Sequence, residues 1–387
     1  MKTIYTLLFF CGLFIAMPLN AQNQSSLAEL LERKNKTTLE CVTSVFNAEE
    51  IAILRAHFGH DDNSVPFKKN GPVNWIYGIE NVSEVYGNFD ADDPSTFNEI
   101  AASPISGNNF EGAGAINEKG DMAYVVDNNN NFYSLAILTG IYTLLGVLNP
   151  PAGESITGLE FDPTDGTLFA LSTDAIITTL LIINIVAVTV AIIGITGMVL
   201  GIGLAAGPAG NLFAVDIDDD NLWSINKLTG LAIIIGAIGF DANFGQGMAL
   251  SVLTGLVLMA AFNNTLFDSE LYILNLVTGL ATLIGIIIVG TLAQFGWIGI
   301  PNPTLGVGDI SQNGFMVYPN PAGNSIFLQA QDRIESISIF DMMGQRVLYQ
   351  PVDALNSQVD ISYLASGHYI CTAVVNGQVG TYKLIKQ

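Results

Sequence analysis

The chain has 387 residues, 50% of them hydrophobic, with 35 acidic residues against 13 lysines and arginines and a formal net charge of −22. A chain of this length and apolar content buries a sizeable core in two or more domains and is not a disordered polypeptide. Between Val73 and Ile300 stand 22 acidic residues and two basic ones, Lys119 and Lys227; that region cannot neutralise phosphates, which sets nucleic acid and anionic membranes aside and leaves calcium or neutral ligands as better partners.

The first 21 residues read as a secretory signal peptide: Lys2 supplies the positive start, "IYTLLFFCGLFIA" the apolar segment, and "LNA" before Gln22 a small-residue cleavage site. Beyond that leader only Cys41 and Cys371 remain, too few for a disulfide framework, so they form one bridge or stay as two buried thiols. Residues 22–72 form a helical segment. Its "SSLAELLERKN" and "NAEEIAILRAHFG" read as short amphipathic helices, the second opened by a capping box of Asn47 and Glu50, and both are expected to pack on an end or rim of the next domain. His57 and His60 are three apart and followed by Asp61 and Asp62. That spacing suits a metal or a solvated helix end.

Residues 73–301 are expected to form one repeat domain. Four segments align without gaps: "FYSLAILTGIYTLLG" from Phe132, "LLIINIVAVTVAIIG" from Leu180, "LWSINKLTGLAIIIG" from Leu222 and "LYILNLVTGLATLIG" from Leu271. Three hold Thr-Gly at the centre, at Gly140, Gly230 and Gly279, where the other has Ala187 and Val188. A glycine at fixed offset between two short apolar runs marks a hairpin, because glycine takes positive φ freely. Each segment follows a second strand-turn-strand pattern bent at Gly120, Gly166, Gly210 or Gly255. Two hairpins make four strands per unit of 42 to 49 residues, the period of a β-propeller blade.

A membrane reading competes with this one, since Ala175 to Val215 is a run of 41 residues without charge or histidine. Against it, the glycines recur at hairpin offsets, nine of the 15 residues from Leu180 to Gly194 are β-branched, and no basic asymmetry exists to orient spans. The ends set the blade number. "FGWIGIP" from Phe295 is a first strand with nothing after it, while "VNWIYGI", "EVYGNF" and "TFNEIA" upstream supply three strands, so joining the ends closes five blades. Six is the fallback. The sequence thus predicts an all-β fold, a five-bladed propeller followed by a small Ig-like β-sandwich, with short N-terminal helices.

Histidine is absent from the predicted ring, which removes Ser-His-Asp, Cys-His and His-ligated zinc sites there. For a glycosidase, paired carboxylates are required. Glu160 stands on a channel-lining strand without an acidic counterpart in the other blades, and Glu154, Asp162 and Asp165 are near it in sequence. The turn "DIDDDN" is richer in hard ligands, and Asp216, Asp218 and Asp220 are its candidate calcium ligands, with "DNNNN" from Asp127 at the matching turn two blades earlier. Aspartate and asparagine also suit tight turns without any metal. Trp75, Tyr77, Trp223 and Trp297 either stack on sugars or pack in the core.

Residues 302–314, "NPTLGVGDISQNG", read as a linker. After it, "VYPNPAGNSIFL", "ISIFDMMGQRVL" and "ISYLASGHYICTAVVNGQVGTYKLIKQ" follow in order to the last residue, with a hairpin turn at Asp341 to Gly344. This ordered set over residues 315–387 resembles the type A C-terminal sorting domain of type IX secretion substrates. The resemblance implies handling by the type IX secretion machinery, passage through the periplasm and delivery to the outer cell surface or the medium, with no transmembrane span in the mature protein. The central hairpins look like repeats of poorly characterised secreted propeller-like proteins, which implies a fold and no activity. Together these features point to a non-enzymatic exported propeller that binds glycans or other surface polymers, or serves in adhesion. The alternative is a secreted polysaccharide-degrading hydrolase or lyase that uses carboxylates of the propeller.

Overall fold

The computed structural model describes residues 25–36, 38–59, 75–107, 109–252, 254–288, 290–301, 315–341, 346–375 and 378–387. The leader, the His60 to Asp62 segment, the linker and most of the Asp341 to Gly344 turn lie outside them.

Five four-stranded antiparallel sheets occupy the middle of the described chain. The first pairs the late strand β20 (Phe295–Gly299) with β1 (Trp75–Glu80), followed by β2 (Val85–Asp90) and β3 (Asp93–Ala102). The second runs β4 (Glu111–Ile116), β5 (Met122–Asp127), β6 (Asn131–Ala136), β7 (Ile141–Val147), and the third β8 (Ser155–Phe161), β9 (Leu168–Thr173), β10 (Thr178–Asn184), β11 (Thr189–Ile195). The fourth is β12 (Gly201–Ala206), β13 (Leu212–Asp216), β14 (Asn221–Ile225), β15 (Ala232–Ala237); the fifth is β16 (Gly247–Ser251), β17 (Leu256–Asn263), β18 (Asp268–Leu274), β19 (Ala281–Ile286). The inner strands β20, β4, β8, β12 and β16 touch in that circular order, β16 returning to β20. This is a five-bladed propeller, closed where Tyr77 pairs with Gly299 and Glu80 with Phe295. The closure leaves neither end of the ring as a free edge.

The uncharged run from Ala175 resolves into β-structure. Leu181 faces Ile192 and Ile183 faces Val190 across the β10–β11 hairpin, and no helix among the described residues is long and apolar enough to cross a membrane. Its hydrophobicity is spent between blades: Leu171 and Leu180 pack on Leu204 and Leu212 of the next blade, and an apolar cluster of this kind fills each of the five blade interfaces. Middle strands covered on both faces have no solvent side and lose polar alternation.

Glycine sets how closely the blades approach. Each inner strand carries one whose side of the strand is filled by a neighbour: a Cβ on Gly158 would lie 2.9 Å from Leu204, one on Gly203 3.0 Å from Met248, and one on Gly247 2.6 Å from the Ile298 nitrogen. On Gly114 it would overlap the Trp297 ring, and on Gly296 the Glu111 carbonyl. A second set of contacts runs round the periphery, where the turn before each outer strand meets the outer strand of the preceding blade. The pairs are Gly140 with Ala101, Val188 with Gly146, Gly230 with Gly194, Gly279 with Gly236, and Pro94 with Gly285. Every pair contains a glycine. Val188, the residue that breaks the Thr-Gly pattern, is accommodated because its partner is Gly146.

The N-terminal helices α1 (Leu27–Lys34), α2 (Val42–Val45) and α3 (Ala48–Phe58) lie over one end of the ring. Capping boxes open α1 at Ser26 with Glu29 and α3 at Asn47 with Glu50. Leu30, Val42, Phe46 and Leu54 pack on Phe244, Phe262 and Phe267. Polar contacts fix the helices: Lys34 Nζ donates to the Asn264 carbonyl at 2.8 Å, Thr38 N–H to Asn243 Oδ1 at 2.9 Å and Val42 N–H to Gln294 Oε1 at 2.7 Å.

The C-terminal sheet holds β21 (Met316–Tyr318), β22 (Ser325–Phe340), β23 (Arg346–Asp360), β24 (Gly367–Val375) and β25 (Gln378–Lys386). The first part of β22 pairs with β21 and the second with β24, while β23 runs beside both, so the sheet bends round one core that contains Ile326, Ile337, Val359, Tyr369 and Cys371. Cys41 and Cys371 are both free and buried.

Gly296→Ala drives a methyl into a backbone carbonyl of the next blade and should cost about 3 kcal/mol or prevent folding, whereas Gly323→Ala, with nothing within 4 Å, should stay within about 0.5 kcal/mol. Chemical denaturation of the two variants checks the contrast.

Candidate functional site

The propeller's central channel is not a pore. At the level of Gly114, Gly158, Gly203, Gly247 and Gly296 the free space shrinks to about 10 Å³, at most the room of one water. The glycines draw the inner strands together until the channel closes, and the functional space is left at its two ends.

At the helix-covered end lies a cavity of about 190 Å³. Its walls are Ile156 and Ile202 from β8 and β12, Phe110 just ahead of β4, and Leu39 and Glu40 from the segment between α1 and α2. Asn128, Ser155 and Thr157 add polar groups. Their order comes from the local backbone: Asn128 Oδ1 accepts the Phe110 N–H at 3.2 Å and Thr157 Oγ1 donates to the Gly201 carbonyl at 2.7 Å. Among the described residues no lysine, arginine or histidine lines the space. An apolar wall with a few oriented amides and hydroxyls is the usual make-up of a small-molecule site.

Toward the opposite end of β8 stands Glu160. Burial pushes its carboxyl up to about 8, against the opposing backbone N–H groups of Phe161, Ala206 and Leu250. The Phe161 N–H donates to Oε1 at 2.9 Å. At neutral pH this side chain is therefore largely a neutral acid. The acids near it in sequence do not join it. Burial opposes ionisation of Asp162, but Lys227 and Thr164 outweigh that and hold it below the usual carboxylate range, with Lys227 Nζ 2.5 Å from Oδ2. Glu154 accepts from the hydroxyls of Ser172 and Thr179, and Asp165 from the Thr167 N–H.

The aspartate turn between β13 and β14 is organised by backbone. Asp216, 2% exposed, accepts the Val199 N–H at 2.8 Å on Oδ2 and the N–H groups of Leu200 and Asp218, each at 3.0 Å, on Oδ1. Burial nonetheless raises its carboxyl above the ordinary range. Asp218 is exposed, and Asp220 accepts the Ala242 N–H at 2.9 Å. Burial, reinforced by the charges of Asp241, Asp219 and Asp216, pushes Asp220 up to about 6. Asp127 shares with Asp216 the bond from the residue two positions on, here the Asn129 N–H, and adds that of Asn131 in its own turn. Among the described residues no group of three or more His, Cys, Asp or Glu side chains is placed to hold a metal ion.

Two polar residues important to the architecture went unnoticed in the sequence. Glu111 is buried and held by neutral donors, Ser103 Oγ at 2.6 Å, Tyr142 Oη at 2.8 Å and Trp297 Nε1 at 2.7 Å, and so ties closing strand β20 to β4. Gln294 holds the helices through Val42. Both rest on long-range contacts that no local pattern announces. Of the aromatics, Trp297 and Tyr77 are buried, and Trp75 and Trp223 are half-buried among blade residues.

The fold and the C-terminal sheet define an exported propeller. Residues 316–387 match the secretion system C-terminal sorting domain family. The chain is a type IX secretion substrate with a propeller fold, directed to the cell surface or the extracellular space. No curated protein matches its sequence. Among solved structures, one of a nidogen/laminin complex aligns at 11% identity over 74% of this chain and 98% of that one, with a TM-score of 0.41. The calcium-binding protein regucalcin of Agrobacterium tumefaciens strain C58 aligns at 12% identity over 67% and 83%, with a TM-score of 0.38. PorZ, a surface component of the type IX secretion system of Porphyromonas gingivalis, aligns at 12% identity over 82% and 50%, with a TM-score of 0.31. The chemistry of this chain is therefore read from its own side chains.

Asp216→Ala should cost about 3 kcal/mol, the loss of several amide hydrogen bonds to a buried carboxylate, and Asp218→Ala about 0.5 kcal/mol or less, by urea denaturation. For Glu160, a carboxyl raised from 4.5 to about 8 binds its proton more tightly in the folded state. Its contribution is full below the unfolded value and is lost as pH climbs through about 8. The wild type should thus lose roughly 2–4 kcal/mol relative to Glu160→Gln between about pH 5 and about pH 9, in paired denaturation curves.

Proposed function

We propose that the protein is a non-catalytic binding protein of the cell surface, whose helix-covered cavity takes one residue of a neutral, hydroxyl-rich polymer such as a surface glycan. The observation that carries this reading is the cavity of about 190 Å³ with apolar walls, amide and hydroxyl groups, the Glu40 residue and, among the described residues, no basic side chain. Its size falls below the roughly 300 Å³ at which sites for drug-sized ligands begin and suits a single sugar ring or chain end. Phe110, half-buried at the wall, offers the ring face that sugars stack on. The acids next to Glu160 in sequence are engaged elsewhere, Glu154 by Ser172 and Thr179, Asp162 by Lys227 and Asp165 by the Thr167 N–H, which supports a non-catalytic role.

Glu160 favours the second reading, a secreted hydrolase or lyase, because an acid protonated at neutral pH is what a general acid needs. Calcium at Asp216, Asp218 and Asp220 would share the Asp216 carboxylate with the three backbone N–H groups it already accepts. In this reading adhesion is the consequence of glycan binding by a protein displayed through its sorting domain.

A glycan and polysaccharide array probed with the full exported protein, in calcium and in chelator, should show binding that is unchanged by the chelator, and no reducing ends should be released from the bound polymers. Release that disappears in Glu160→Gln would establish the enzyme instead, and binding lost in chelator would place calcium in the site.

A further inference from the structure

The solvent side of an outer strand normally carries polar residues, because an antiparallel sheet with one wet face alternates apolar and polar side chains. Four of the five blades depart from that rule. Their outer strands β7, β11, β15 and β19 hold no charged residue, and Leu144, Ile192, Ile234 and Leu283, at aligned positions of the repeat, are each at least half exposed. The turn ahead of each strand shows the same anomaly, where Leu138, Val186, Leu228 and Val277 are 64%, 95%, 84% and 85% exposed at another aligned position. Each turn leans on the outer strand of the preceding blade, as Gly230 does on Gly194 and Gly279 on Gly236, so the rows of neighbouring blades join into one band. The first blade interrupts it, since β3 exposes Thr96, Asn98 and Glu99 instead. Among the described residues each of the four strands ends its sheet, and so presents a backbone edge as well as an apolar face.

We propose that this band joins copies of the chain side by side, outer strand against outer strand. A contiguous apolar surface of this extent is rare on a protein that stays alone. Charge selects the occupant. The net charge of −22 repels an anionic lipid surface, and a basic partner finds no acid in the four strands to pair with. A second copy brings the same uncharged row and an edge of the same kind, so the contact sets no like charges face to face. The area is sufficient. On the third and fourth blades Val186, Ile192, Ile195, Leu228, Leu231 and Ile233 are each 60% or more exposed and together offer roughly 800 Å², what each partner of a stable interface buries. One blade offers about half of that, so a contact spans two neighbouring blades. A copy joined through one such pair keeps the other pair of the band available, and association continues past the dimer.

Sedimentation velocity of the full exported protein over a range of concentrations, without any glycan, tests the band. Species larger than a dimer should form with a Kd of about 10 µM or tighter. Added salt should tighten the association, since it screens the repulsion of two acidic bodies and leaves the apolar contact in place. Ile192→Glu with Ile233→Glu puts like charges into the rows of the third and fourth blades and leaves no two adjacent blades intact. That variant should associate at least about tenfold more weakly, with an unchanged strand spectrum. Leu144→Glu with Leu283→Glu spares the third and fourth blades and should stop the assembly at the dimer. Thr96→Glu, the same charge on β3, should change nothing. A wild type that stays monomeric at about 1 mM, association that salt dissolves, larger species persisting in either double variant, or an equal loss in Thr96→Glu would overturn the proposal. Monomers that bind neutral phosphatidylcholine vesicles would overturn it as well, with lipid as the occupant.

Discussion

The closeness of five inner strands is the constraint on which the rest of the molecule depends. Five blades leave a narrow axis, and the strands that line it meet only where one side chain from each is missing. That requirement places Gly114, Gly158, Gly203, Gly247 and Gly296, closes the channel at mid-height, and divides the axial space into two separate ends. The periphery obeys the same rule in a different form, with a glycine in every contact between an outer strand and the following blade's turn. A propeller assembled this way tolerates variation only in complementary pairs. Val188 against Gly146 is such a pair, and Pro94 against Gly285 another.

Charge is arranged around this apolar frame rather than within a catalytic centre. The acidic residues of the ring serve as acceptors for backbone amides at turns, as Asp216 and Asp127 do, or as buried anchors between blades, as Glu111 does. Oxygen acceptors suit these duties, since the first residues after a strand present several N–H groups at once. Lys227 is spent on Asp162 between the third and fourth blades. The result is a surface rich in negative charge whose interior polar groups are almost all paired, with Gln294 at the covered end of the channel as a notable exception.

That exception lies where the helices and the ring share a boundary. The N-terminal segment contributes Leu39 and Glu40 to a wall of the cavity and is anchored to the ring by Gln294 through Val42, so the shape of the cavity depends on the docking of the helical cover. Export imposes its own logic on such a protein. A ring without open ends exposes no sheet edge at its closure, and the sorting domain has a core of its own.

Much of this was legible in the residues. Hairpin glycines at a fixed offset, four strands per repeat and three strands left over at one end with one at the other determined the propeller, its five blades and its closure, because local turn chemistry and strand periodicity are properties of short segments. The motifs from Val317 to Gln387 determined the sorting domain for the same reason, as did Asn47 and Glu50 the start of a helix. What only the tertiary structure decided was which polar groups meet. Asp216, Asp218 and Asp220 alternate along one turn, but that the amides of Val199 and Leu200 from the preceding loop also meet Asp216 is visible only in the fold. Glu160 and Asp162 are two residues apart, a spacing that strand alternation alone would put on one face, yet β8 ends at Phe161 and the turn that follows carries Asp162 to Lys227 in the next blade. Gln294 carries no signal in its own neighbourhood, since its oxygen is claimed by a residue 252 positions earlier. Pairings of that kind depend on how the blades and the helices close on one another, and no local pattern encodes them.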